Sequence, residues 1–146
     1  MTQSFIFVSE DTNRSSGGVS CKVGSTLTDN RYTVLELVLN PGEGAPRHVH
    51  QREDEIMFIV EGELEVTHGN ETHCALPGAI VVLPKGQPHA FRNTGQAPNR
   101  VLITAVPGGL DRYFEEINAL VASGQATQEQ FDEVNQCYQI DFSPQS

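Results

Sequence analysis

Three histidines and one carboxylate stand at intervals that suit a shared metal ion: His48, His50, Glu55 and His89. On a strand, residues i and i+2 project from one face, so His48 and His50 point one way while Arg47 and Val49 point the other. Glu55, five residues past His50, would fall out of phase on one continuous strand. A turn through Gln51-Arg52-Glu53-Asp54 resets the phase and returns Glu55 on a neighbouring strand. Pro84-Lys85-Gly86 forms a second tight turn, after which a return strand carries His89 and Phe91 inward. The mixed nitrogen and oxygen donor set suits one divalent transition ion (Fe, Mn, Ni, Co or Zn) and does not choose among them. Four protein ligands leave about two open positions on an octahedral ion. Enol and ketone oxygens of a small-molecule substrate can chelate there, or one such oxygen together with O₂. A bound hydroxyl is acidified by the ion, and Glu55 is the candidate catalytic base for its proton.

The neighbours of these four residues divide by strand phase. Alternation from Glu55 sends Met57 and Ile59 inward, and Phe91 shares a face with His89. Met57, Ile59 and Phe91 are the candidate substrate-pocket residues, although each is equally ordinary core. His68 and His73 lie outside both stretches and read as surface or structural residues. Arg47, Arg52, Glu53 and Asp54 read as a solvated charged turn. Cys74 reads as a small buried apolar side chain.

From Phe5 to about Val106, short runs rich in Val, Ile, Leu, Phe and Thr alternate with turn clusters such as Ser15-Ser16-Gly17-Gly18, Asn40-Pro41-Gly42 and Asn93-Thr94-Gly95. Strands at such short spacing predict an all-β sandwich or barrel. The longest run, Tyr32 to Leu39, puts Thr33, Leu35, Leu37 and Leu39 on one face. Glu61-Gly62-Glu63 and His68-Gly69-Asn70-Glu71 read as hairpin turns. After Gly108-Gly109 the period lengthens. Leu110, Tyr113, Phe114, Ile117 and Leu120 form one face of an amphipathic helix. Thr127 with Gln130 opens a second helix through a capping box. The expected organisation is one domain with N-terminal strands over 1–30, a barrel core over 31–107 and a helical extension over 108–146 that packs on the barrel.

Two longer spacings give the pattern a family likeness. The first runs Gly42, five residues, His48, one, His50, four, Glu55, six, Gly62; the second runs Gly78, five, Pro84, one, Gly86, two, His89, three, Asn93. Together they resemble both motifs of the cupin superfamily over about residues 31–107. The resemblance implies a double-stranded β-helix, the jelly-roll or cupin barrel, here with two C-terminal α-helices. It also implies metal ligation by His48, His50, Glu55 and His89, and homodimers. Within the superfamily, the acidic ending Glu53-Asp54-Glu55 and the segment Gly108 to Phe114 resemble single-domain cupins related to bacterial quercetinase. That likeness implies an oxygen-dependent dioxygenase acting on a flavonol-like or other enol or keto compound. The alternatives are a non-catalytic small-molecule sensor and a metal-dependent isomerase or lyase.

Composition narrows the partners. Nine Lys and Arg against nineteen Asp and Glu give a net charge of −10, which disfavours nucleic acid and anionic membranes. Phe5-Ile6-Phe7-Val8 is too short for a signal peptide or a membrane span. Three scattered cysteines without a CxxC pair fit reduced thiols, so a cytoplasmic protein is expected.

Overall fold

The computed structural model describes residues 5–9 and 18–142. Among them the chain forms β1 (Gly18–Val23), β2 (Thr33–Val38), β3 (Gly44–His50), β4 (Asp54–Glu61), β5 (Leu64–His68), β6 (Glu71–Ala75), β7 (Ile80–Leu83), β8 (His89–Arg92), β9 (Arg100–Val106), α1 (Leu110–Ser123), α2 (Gln128–Cys137) and β10 (Ile140–Asp141). One sheet has the order β1-β2-β9-β4-β7 and the other β10-β3-β8-β5-β6. Every pairing is antiparallel. From β2 to β5 the chain changes sheet at each step, and it does so again from β6 to β9, which winds a double-stranded β-helix.

Alternation makes the core. Leu35 and Leu37 of β2, Met57 and Ile59 of β4, Leu64 and Val66 of β5, and Val101, Ile103 and Ala105 of β9 all turn between the sheets and are buried. Each large side chain of this set contributes roughly 1.5–3 kcal/mol by leaving water. The inward face expected for Thr33, Leu35, Leu37 and Leu39 is observed.

The two Gly-centred turns behave differently. Gly69-Asn70 joins β5 to β6 as a hairpin within one sheet. Glu61-Gly62-Glu63 is instead a corner, because β4 and β5 lie in opposite sheets. Gly62 has φ 74, and a Cβ there would sit 2.9 Å from Asn99 Cα, so the corner requires glycine. Buried Asn99 braces it, donating Nδ2–H to Glu63 O (2.9 Å) and accepting Leu39 N–H at Oδ1 (3.0 Å). The expected N-terminal strands reduce to β1 among the described residues. Phe5 to Ser9 forms no strand, with Phe5 and Phe7 exposed; the turn expected at Ser15-Ser16-Gly17-Gly18 lies outside the described residues except for Gly18.

Both helices follow the sequence pattern. α1 buries Leu110 and Tyr113 and rests Phe114 and Ile117 on the core. Its first turn is tied to the loop after β1: Asp111 accepts from Ser25 N–H (2.9 Å) and Oγ–H (3.1 Å). The Thr127–Gln130 capping box opens α2. α2 then delivers an element the pattern did not predict, the two-residue strand β10, which pairs Ile140 with His50 and Asp141 with Val49. On the outside of the first sheet, the rows Val34–Thr104–Ile56–Val82 and Glu36–Leu102–Phe58–Ile80 cross four strands. Ile56, Phe58, Ile80 and Val82 there are 38–65% exposed.

Candidate metal centre

Three strands from two sheets bring the four residues together. β3 supplies His48 and His50, β8 supplies His89 directly opposite His48, and β4 faces them with Glu55 from the other sheet. Tight turns fix the depth of each strand: Gly86 N–H bonds His50 O (2.8 Å), and Lys85 N–H bonds Asp54 Oδ1 (2.9 Å). Gly44 lets β3 approach β8, since a Cβ at that position would lie 2.1 Å from Phe91 O.

One ring nitrogen from each histidine lies within 4.8 Å of the other two. The Glu55 carboxylate lies 3.5 Å from His50 Nε2 and 3.4 Å from His89 Nε2. All four residues are at most 5% exposed. Outer partners orient two of the rings. His48 Nδ1 sits 2.7 Å from Pro46 O, and His50 Nδ1 sits 3.1 Å from Glu53 Oε1. With Nδ1–H donating in each case, Nε2 is left as a bare lone pair turned to the centre. Glu55 Oε2 and both His89 ring nitrogens have no hydrogen-bond partner among the described residues. Buried polar atoms in that condition are costly unless something coordinates them. Three imidazoles and a carboxylate, inward and under-satisfied, fit a divalent transition ion.

The electrostatics of His48 and Glu55 agree with that fit, while at His50 the ion competes with a proton. Burial pushes the His48 imidazole down to about 4, against the pull of Pro46 O, so it is a neutral donor at pH 7. Burial also works to lower His50, but the Glu53 hydrogen bond and the charges of Glu55 and Glu53 outweigh it and hold His50 above the usual histidine value. Burial works to raise Glu55, yet the imidazoles of His89, His50 and His48 hold it below the usual carboxylate value. The centre therefore presents an anion to a cation.

Beside the ligands lies a cavity of about 260 Å³ whose wall includes His48, His50, Glu55, Phe91, Ile103, Tyr113, Phe114, Ile140 and Phe142. The Phe142 ring stacks on His48 with centroids 5.2 Å apart and planes 24° apart.

Residues 35–105 match the cupin domain family, and the two sheets wind as a double-stranded β-helix. The chain carries a cupin domain. It is similar to quercetin 2,3-dioxygenase of Bacillus subtilis, 30% identical over 76 residues, which are 49% of this chain and 23% of that enzyme. A Klebsiella pneumoniae protein with a double-stranded beta-helix domain superposes with a TM-score of 0.58 at 25% identity, covering 72% of this chain and 90% of its own. The DMSP lyase DddQ from Ruegeria pomeroyi superposes with a TM-score of 0.53 at 28% identity, covering 61% of this chain and 46% of its own. Against the curated relatives it matches, this cupin spans about half of their length or less.

Of the apolar candidates, Phe91 lines the cavity. Met57 and Ile59 do not; both are fully buried in the barrel core, because alternation fixes the face of a residue but not its distance along the barrel from the site. Glu53 corrects the solvated-turn reading. It is 3% exposed and holds His50, and Arg52 reaches it at 3.9 Å while donating to Gly108 O (3.3 Å). The spacing His50-x-x-Glu53 was the available signal. Cys74 is exposed rather than buried, since its strand partner Glu65 places it on the outer face. His68 and His73 are exposed, paired with Gln87 (2.6 Å) and Glu71 (3.4 Å). Sequence reasoning missed Tyr113, Phe114, Ile140 and Phe142 as walls of the site. Among the described residues, no helix is long and apolar enough to cross a membrane.

Proposed function

We propose that this cupin is a metal-dependent dioxygenase that cleaves an enol- or keto-bearing small molecule with O₂. The observation that carries the reading is a buried three-histidine, one-glutamate centre with a cavity walled by aromatic rings on one side. Fe, Mn, Ni, Co or Zn bound by His48, His50, Glu55 and His89 would supply Lewis acidity toward an enol hydroxyl. The protein's own residues do the rest. Glu55 is ionised and adjacent, so it accepts the enol proton, a transfer worth typically a factor of about 10²–10⁴. Glu53 keeps His50 aimed. Phe91, Phe114 and Phe142 exclude water from the reacting face, which strengthens each charge interaction there. The similarity to the Bacillus subtilis quercetin 2,3-dioxygenase supports this reaction class.

The test is metal analysis of protein purified without chelators, followed by oxygen uptake with a flavonol and with smaller enols and β-diketones. Uptake that depends on metal and is lost in Glu55→Gln supports the proposal. Turnover without oxygen favours an isomerase or lyase, the reading to which the similarity with the DMSP lyase points. Tight binding without product favours a sensor.

For the assembly, we propose a homodimer through the exterior of the first sheet. At a net charge of −10 two copies repel over most of their surfaces, and Ile56, Phe58, Ile80 and Val82, on the β4–β7 flank of this face, carry no charge. Light scattering that finds a dimer for the wild type and a monomer for Phe58→Glu supports it; a dimer for both overturns it. Exposed Cys21, Cys74 and Cys137, none of them in a disulfide, suit a reducing cytoplasm.

A further inference from the structure

The cavity beside the centre is small and nearly without polar atoms of its own. Its volume of about 260 Å³ lies below the ~300–1,000 Å³ usual for drug-sized ligands. Apart from His48, His50 and Glu55, the only polar side chain on its wall among the described residues is Tyr113, and that hydroxyl donates to Asn135 Oδ1 at 2.6 Å. Among the described residues the wall holds no Lys, Arg, Ser, Thr, Asn or Gln side chain. A carboxylate, a phosphate or a set of sugar hydroxyls placed away from the ligand residues would lose water and gain no partner.

One wall differs from the others. Phe91, Tyr113 and Phe114 sit on β8 and α1, whereas Phe142 follows a strand of two residues. That strand is held by the Ile140–His50 and Asp141–Val49 pairs, with Gln51 N–H bonding Gln139 O (3.0 Å) just before it. Ile140 is buried and anchors the segment. Phe142 is 42% exposed, with its ring on His48.

We propose that the cavity takes a compact, uncharged, single-ring enol-ketone, with its two oxygens at the ligand residues and bare hydrocarbon elsewhere, and that Phe142 sets the size limit. This rests on the reading of the site as one for enol-ketone chelators. It excludes three-ring flavonols as long as Phe142 stays on His48.

Three probes share one hydroxypyranone head: maltol, which is compact; comenic acid, which adds a carboxylate; and 3-hydroxyflavone, which adds two rings. Full-length protein loaded with Co(II) is titrated with each under anaerobic conditions, and affinity is read from the cobalt absorption bands. Maltol is expected to bind at least tenfold more tightly than either of the others. In Phe142→Ala the ratio of flavone to maltol affinity rises at least tenfold, and in Phe142→Trp it does not rise. Since Phe142 is partly exposed, thermal melts of both variants should stay close to the wild type, and the ratio is compared within each folded protein. Equal affinities of maltol and flavone in the wild type, or an unchanged ratio in Phe142→Ala, overturn the size limit. Comenic acid binding as well as maltol overturns the charge requirement. Selective binding without oxygen uptake in air upholds this proposal while sinking the dioxygenase. Absence of cobalt bands sinks both.

Discussion

All five histidines of the chain project from the same face of the second sheet, yet they meet different fates. His48, His89 and His68 even form one lateral row across β3, β8 and β5. The difference lies in what the opposite sheet offers. Over His48, His50 and His89 it offers Glu55, and all four side chains are buried. Toward the β6 flank it offers Val81 and Leu83 of β7, with an open cavity of about 570 Å³ between, so His68 and His73 stay exposed beside Gln87 and Glu71. A row of imidazoles becomes a candidate metal centre only where a facing carboxylate and exclusion of water coincide.

Mutation can break this contrast. The largest effect is expected for Glu55→Ala and His89→Ala, which should weaken metal binding by well over the roughly 10–100-fold typical of an outer partner. Titration calorimetry would show it, and a wild-type affinity in either variant would mean that the ion sits elsewhere. Acidification separates the histidines next. His48 is held at about 4 when folded and titrates near 6.5 when unfolded, so its contribution is complete above pH 6.5 and is lost as pH falls toward 4. The size is about 3 kcal/mol in the metal-free protein. His50 has the opposite sign, because its raised value adds stability below pH 6.5 that disappears as pH rises through the folded value. Denaturant titrations of metal-free protein at pH 7 and pH 4 should therefore show a smaller loss for His48→Asn than for wild type, and an equal loss would contradict the burial argument.

Glu53→Gln should lower metal affinity by about 10–100-fold and leave the fold intact, as measured by calorimetry beside circular dichroism. The smallest effect, within about 0.5 kcal/mol of stability and no change in metal content, is expected for His68→Ala and His73→Ala. A loss of bound metal in either would erase the distinction between the two sets.

How much of this was legible in the sequence depends on the range of the signal. His48 and His50 could be read from a period of two, Glu55 from one phase reset, and α1 and the Thr127–Gln130 cap from local pattern and chemistry. These signals live within a few residues. The corner at Glu61-Gly62-Glu63 could not be told from a hairpin, because glycine serves both and the choice depends on the distant Asn99. Glu53 looked solvated because its burial comes from strand docking, not from its neighbours in sequence. Phe142 carried no local signal, since its position depends on α2 delivering β10 to the flank of β3.

That delivery has a consequence for handling the protein. By pairing with Val49 and His50, β10 occupies backbone donors and acceptors that would otherwise line a bare sheet margin. Exposed margins of that kind template intermolecular strand addition, and through it aggregation. A tail clipped after Gln139 would leave the barrel's most reactive stretch as its stickiest one, so proteolytic trimming and misassembly become a single liability.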